Sequence, residues 1–238
     1  MTVTYYLSKV PLNPLRRQSQ VLLGNPQKIH AAVMASLPDQ PEEGRHLWRL
    51  EQRDHRVDLL ALSPGHPSWG HLIEQAGWPG ADGGMAQVSA LDPLLNLLMI
   101  GRRFLFRLRV NPIQNVRQPE HPTPHQIEAM GDDSKTRYLR VGQRTAEYQL
   151  AWFLARCADG RDQWGFTVGS KEDPSVALVG RQTLRFSKGR GRDFVTLETA
   201  TFQGRLTVTD VDRMRQSLLG GIGSGKAYGC GLLTLNAA

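Results

Sequence analysis

Residues 102–112 read Arg-Arg-Phe-Leu-Phe-Arg-Leu-Arg-Val-Asn-Pro, alternating Phe104, Phe106, Leu108 and Val110 with Arg103, Leu105, Arg107 and Arg109. Successive side chains of a strand leave to opposite faces, so this period of two makes a strand with one apolar face and one largely arginine face. A strand buried on both sides would read as a continuous apolar run. The alternation therefore calls for an antiparallel sheet covered on one face and cationic on the other.

The elements around this strand fall into one order, repeated. In the first half, Thr4 to Leu12 reads as a strand ending near Pro11, and Asn25-Pro26 gives an N-cap and a first-turn proline for a helix running to about Leu37. Segments 46–52 and 57–63 read as two strands joined by a polar turn containing Asp54 and His55. Ser68 to Ala76 reads as a short helix capped by Ser68, and glycine-rich 77–84 leads to an extended segment near Met85–Leu91. After the 102–112 strand and an irregular Pro- and His-rich loop at 117–138, Gln143 to Ala158 reads as a helix with Ala146, Leu150, Phe153, Leu154 and Cys157 inward. Strands near 163–169, 176–187 and 192–208 precede a helix at 210–219, capped by Thr209 or Asp210 and stopped by Gly220, and a terminal strand from Gly231. Each half runs β-α-β-β-α-β. The expected class is α+β: two tandem ferredoxin-like (RRM-like) βαββαβ domains, 1–92 and 99–238, joined near 92–100.

A chain of 238 residues with 40% hydrophobic and 21% charged residues fits a folded soluble protein of this size. It has no apolar run of the roughly 18 residues needed to span a bilayer, and its N-terminus lacks the pattern of a secretory signal. Its only cysteines, Cys157 and Cys230, form no disulfide framework. The expected compartment is the cytoplasm, with no membrane partner. Net charge is +7, unevenly spread: residues 1–98 carry 8 Lys and Arg against 9 Asp and Glu, and residues 99–238 carry 21 against 13. A basic half beside a near-neutral one points to an acidic partner, most commonly nucleic acid; the plainer alternative is solubility.

Glycine and lysine concentrate in Gly-Gly-Ile-Gly-Ser-Gly-Lys-Ala-Tyr-Gly-Cys-Gly at 220–231. Its spacing approaches a nucleotide-binding P-loop, but Ala227 stands where Ser or Thr would hold Mg²⁺. A P-loop also follows a strand and opens a helix, whereas this loop follows a helix and opens a strand. The P-loop reading fails. Gly223, Gly225 and Lys226 remain as an anion-binding nest with a point charge, or as a tight connection in which glycine merely supplies positive φ.

The most basic stretch, 181–192, holds Arg181, Arg185, Lys188, Arg190 and Arg192 before the first acid, Asp193. Two extended arms meeting at Lys188-Gly189-Arg190-Gly191 read as a hairpin whose cations pair with phosphates, or as an exposed hairpin whose charges prevent edge aggregation. Arg107 and Arg109 are further phosphate candidates. Metal chemistry has no support, because His121 and His125 are separated by prolines and no H-E-x-x-H or C-x-x-C pattern occurs. No metal or cofactor is expected. His30 stands apart: it falls in the first turns of a helix beside Lys28, where a nearby cation and the helix dipole would lower its pKa. The alternative is a surface histidine without a role.

Together, "YYLSKVPLNP" at the start, "NPQKIH" around His30, "FRLRVNP" at 106–112 and "GIGSGKAYGCGLLTL" at 221–235 resemble the CasE endoribonucleases of type I-E CRISPR systems, in order and across essentially the whole chain. The resemblance implies tandem ferredoxin-like domains and a metal-independent endoribonuclease. Such an enzyme binds the CRISPR repeat stem–loop RNA and cuts at the base of the stem. The RNA's own 2′-OH attacks, leaving a 2′,3′-cyclic phosphate and a 5′-OH. It also implies membership of the Cascade complex and places the catalytic histidine at His30. Many members carry tyrosine three residues earlier, where this chain has Gln27, which exchanges no proton. The partner of His30 is then Lys28, Tyr5 or Tyr6, or electrostatics alone. Two other readings stay open: a non-catalytic RNA-binding subunit of the same fold, and a protein binding a small anion through the 220–231 loop.

Overall fold

The alternation at 103–110 is realised. In the computed structural model, which describes residues 3–37, 44–53, 56–116, 139–157, 163–170, 173–187 and 194–237, Phe104, Phe106, Leu108 and Val110 are buried, while Arg103 and Leu105 are exposed and Arg107 and Arg109 half-buried. The fold is mixed α+β, built on two antiparallel sheets.

The first half contains β1 (Tyr5–Leu12), α1 (Arg17–Leu23), α2 (Pro26–Met34), β2 (Leu47–Arg53), β3 (Arg56–Pro64), α3 (Gly70–Ala76) and β4 (Gln87–Ala90). Its strands lie in the order β2-β3-β1-β4, every neighbour antiparallel. A short helix, α4 (Asp92–Leu95), leads to the second half: β5 (Arg103–Val110), β6 (Ile113–Val116), β7 (Leu139–Gly142), α5 (Ala146–Cys157), β8 (Phe166–Thr167), β9 (Val176–Ser187), β10 (Phe194–Val208), α6 (Val211–Gly220) and β11 (Leu233–Ala237). Here the order is β11-β5-β10-β8, with β9 also on β10, and β6 and β7 form a separate pair.

Several expectations need correction. Helix α2 ends at Met34 rather than Leu37, because Ser36 and Leu37 turn back to the carbonyls three residues earlier. Ser68 does not cap α3; its N–H donates to the Ser36 carbonyl, and Trp69 occupies the cap position without a side-chain bond. Helix α1 carries no capping signal and is fixed by packing: Leu22 is buried and the Ser19 hydroxyl donates to the Ala76 carbonyl at 2.6 Å. In α5, Gln149, Trp152, Phe153 and Cys157 are buried and Leu150 and Leu154 pack partly buried against the same core, so of the positions expected inward only Ala146, in the first turn, is exposed. The strand expected at 163–169 shrinks to two residues, and Gly220 is the last residue of α6 while Gly221, at φ 73°, breaks it. The 117–138 loop lies outside the described residues.

Two cores result, and β2 feeds both. Trp48 joins Val10, Ile29, Val33 and Leu59 under α1–α3, while Leu47 joins the larger core around Phe106, Phe153, Phe166 and Phe202. Arg49 points the same way as Leu47. Its buried guanidinium donates to the carbonyls of Arg107 at 2.9 Å and Leu232 at 2.8 Å, to Thr234 Oγ1 at 2.9 Å and to Glu51 Oε1 at 2.6 Å. A buried charge is costly unless it is paired and hydrogen-bonded, and these four bonds from the two terminal nitrogens set how the first sheet abuts β5 and β11. Among the described residues, no helix is long and apolar enough to cross a membrane.

Candidate active site and nucleic-acid interface

Helix α2 starts as the sequence indicates: the Asn25 side chain accepts from the Gln27 N–H at 2.9 Å, and Pro26 occupies the first position. Ile29 and Val33 anchor it to the smaller core, which leaves His30 half-exposed at the side of the helix. Burial lowers the pKa of His30 below 6.5, so the ring is largely neutral at pH 7. Its buried Nδ1 has no hydrogen-bond partner among the described residues. Lys28 is exposed and two positions away, and side chains two apart leave a helix on different sides. The shift of His30 comes from burial.

His46 was not singled out by its sequence context, which reads as the start of a strand. It directly precedes β2, is 7% exposed, and buries an Nε2 without a partner among the described residues. Burial, then the charge of His30, lowers its pKa. The two rings are therefore electrostatic neighbours that resist carrying two protons at once. Of the tyrosines considered as partners, Tyr6 stands edge-on to the His66 ring with centroids 5.0 Å apart, and Tyr5 packs against the larger core.

The glycine loop supplies the other wall. Between left-handed Gly225 (φ 77°) and Gly229 (φ 81°) a single 3₁₀ turn, Lys226–Tyr228, packs against both α2 and β2. A Cβ on Gly229 would lie 2.7 Å from the Trp48 ring, so only glycine allows this approach. The N–H groups of Ile222, Tyr228, Cys230 and Gly231 are used inside the protein, donating to Gly231, Gly225, Gly225 and Arg109 carbonyls respectively. These bonds close the loop at its two ends, on either side of the Gly223–Lys226 stretch expected to form the nest. Gly223 is exposed and Gly225 half-buried, both at positive φ. Lys226 is half-buried, its ammonium disfavoured by burial and by Arg45. The Lys226 turn packs against α2, which carries His30, and against β2, which follows His46, so these residues lie on adjoining elements at the seam, with Arg45 acting on Lys226.

The arginine candidates separate into two kinds. Arg107 lies 3.5 Å from Glu51 and donates to Gln203 at 3.1 Å, and Arg109 donates to Gln182 at 2.9 Å and Thr199 at 3.1 Å. Both are engaged by neighbouring strands. Arg181 and Arg185 lie on the β9–β10 ribbon: Arg181 donates to Gln149 at 3.1 Å and to the Arg144 carbonyl, and Arg185 sits over the Phe194 ring. The ribbon's other face carries buried Phe186 against Tyr228, ring centroids 4.9 Å apart, which ties the ribbon to the glycine loop. Lys188, Arg190 and Arg192 lie outside the described residues. Among the described residues, no group of three or more His, Cys, Asp or Glu is placed to hold a metal ion.

A family model described as CRISPR associated protein matches residues 5–237. The CRISPR-associated endoribonuclease Cse3 of Thermus thermophilus is 29% identical, over 97% of this chain and 99% of the relative. The chain belongs to the Cse3/CasE (Cas6e) family of CRISPR-associated proteins. The Cascade subunit CasE of Escherichia coli K12 is 26% identical over 97% of this chain and 98% of its own. A solved structure of CRISPR endoribonuclease Cse3 bound to 19 nt RNA superposes with a TM-score of 0.73 at 26% identity, covering 98% of this chain and 99% of that one. Both sheets and the seam thus lie within the span this Cse3/CasE chain shares with its relatives.

Proposed function

We propose that the chain binds a CRISPR repeat stem–loop and cuts the precursor RNA at the base of the stem without a metal ion. The observation that carries this reading is His30, a half-exposed, largely neutral imidazole at a seam where Lys226 and Arg45 supply positive charge. Neutral His30 takes the proton of the 2′-OH, and the 2′-oxygen bonds to phosphorus. Lys226 and Arg45 balance the charge of the phosphorane. The bond from phosphorus to the 5′-oxygen breaks, and that oxygen takes a proton from Lys226, whose lowered pKa makes it a stronger acid than an ordinary lysine. His46 is buried and is given no contact with the RNA; burial and the charge of a protonated His30 both lower its pKa, so it stays neutral when His30 carries the proton. Lys28, on another side of α2, contacts phosphates at the rim.

The two halves, 1–92 and 99–238, are read as tandem ferredoxin-like domains, supported by the matching strand orders. Arg181, Arg185, Lys188, Arg190 and Arg192 grip the RNA, with Gly223 and Gly225 letting backbone approach it. Arg107 and Arg109 hold the strands that position this surface. The relatives' names, an endoribonuclease, a Cascade subunit and a protein bound to RNA, support the RNA substrate and Cascade partners. The cytoplasm is the compartment this implies.

Incubation with repeat stem–loop RNA in EDTA, followed by end-group analysis, tests the reaction. A 2′,3′-cyclic phosphate and a 5′-OH are expected; a 3′-OH with a 5′-phosphate would overturn the mechanism. Gln27 in place of tyrosine favours one second reading, a subunit that binds without cutting, for which RNA would be retained intact. Binding that is indifferent to salt would instead favour a small-anion protein.

A further inference from the structure

The β9–β10 ribbon has a face whose chemistry does not fit a duplex backbone. The register pairs Thr183 with Glu198, Arg185 with Thr196 and Ser187 with Phe194, so Arg181, Thr183, Arg185, Phe194, Thr196 and Glu198 share one side. There they line a groove of about 730 Å³, walled opposite by Arg144 and Gln149. Its cations suit phosphate, but two of its features do not. Phe194 is 58% exposed, with the Arg185 guanidinium 4.9 Å from its ring centroid. Glu198 places a carboxylate in the groove, held by the Thr183 hydroxyl at 2.8 Å and by Arg144 at 3.6 Å.

A backbone running along a ribbon gains nothing from an exposed ring and is repelled by a carboxylate. An unpaired nucleotide uses all three elements: a ring to stack its base, an acceptor for an exocyclic amine and a fixed guanidinium for its phosphate. Arg181, already oriented by Gln149 and the Arg144 carbonyl, is that guanidinium. We propose that this groove holds one unpaired nucleotide flanking the stem, its base stacked on Phe194, an amino group of the base on Glu198 and its phosphate on Arg181. The inference rests on the RNA reading above and adds a base preference: adenine, cytosine or guanine, which carry an exocyclic amine on the pairing edge, over uracil.

The test compares affinities of the stem–loop alone and of the stem–loop with flanking unpaired adenosines, for wild type, Phe194→Leu, Phe194→Tyr and Glu198→Gln. The flank should tighten wild-type binding about tenfold, the size expected of one stacked base. Phe194→Leu should lose that gain while binding the bare stem–loop as before, and Phe194→Tyr should keep it. Glu198→Gln should narrow the difference between adenosine and uridine flanks. 2-Aminopurine in the flank should be quenched by wild type and not by Phe194→Leu. Equal wild-type affinity with and without the flank, or a full gain in Phe194→Leu, would overturn the nucleotide site. Failure of wild type to bind either RNA would overturn the RNA reading, and this proposal with it.

Discussion

The two halves are both built on antiparallel sheets, β2-β3-β1-β4 and β11-β5-β10-β8 with β9 also on β10, but they differ in chemistry. The first, near neutral in sequence, contributes two burial-shifted histidines and one wall of a seam; the second, with 21 Lys and Arg against 13 Asp and Glu, contributes the ribbon and the glycine loop. Burial keeps an imidazole neutral without needing many charges, whereas gripping phosphates needs cations in number. The division teaches that proton handling and grip can be separated by mutation, provided the seam holds. Lys226 is the exception in the proposed mechanism, a residue of the basic half on a turn that packs against α2 and β2 of the first.

Breaking the seam should have the largest effect. Arg49→Ala removes the buried guanidinium and its four hydrogen bonds, to the Arg107 and Leu232 carbonyls, Thr234 and Glu51. It should cost about 3–5 kcal/mol, read as a lowered urea midpoint. Gly229→Ala drives a Cβ into Trp48 at a left-handed position and should cost about 2 kcal/mol. It should also slow cleavage more than it weakens binding, because it displaces Lys226. On the gripping side, Arg181→Ala should weaken RNA binding several-fold and lower the slope of log K against log salt by about one, with the rate at saturating protein unchanged.

The smallest effect expected is on stability against pH. Histidines whose folded pKa lies below 6.5 contribute stability that is fully present above that pH and lost as pH falls through the folded values. Wild type should therefore lose stability below about pH 6.5, and His46→Gln should flatten that acid limb in urea titrations repeated across pH.

What could be read from the chain beforehand followed physical rules that act locally. The period of two in 103–110, the Asn25-Pro26 start of α2 and the Asp210 cap of α6, whose carboxylate accepts from the Arg213 N–H at 3.0 Å, are each written within a few residues. His30 was legible through the motif around it. Helix α1 was not, since it lacks a cap and depends on Ala76, 57 residues away. Nor was His46, because its interest comes entirely from burial beside a helix distant in sequence. The engagement of Arg107 and Arg109 was equally hidden: alternation says which face they take, and only strand pairing says that Glu51, Gln203, Gln182 and Thr199 meet them there.

The separation of chemistry from grip is tested most directly by His30→Ala, assayed for single-turnover cleavage and for affinity on the same stem–loop RNA in EDTA. The account predicts a loss of about 10²–10⁴-fold in cleavage rate with an unchanged Kd. Cleavage at the wild-type rate, or a loss explained entirely by weaker binding, would contradict it.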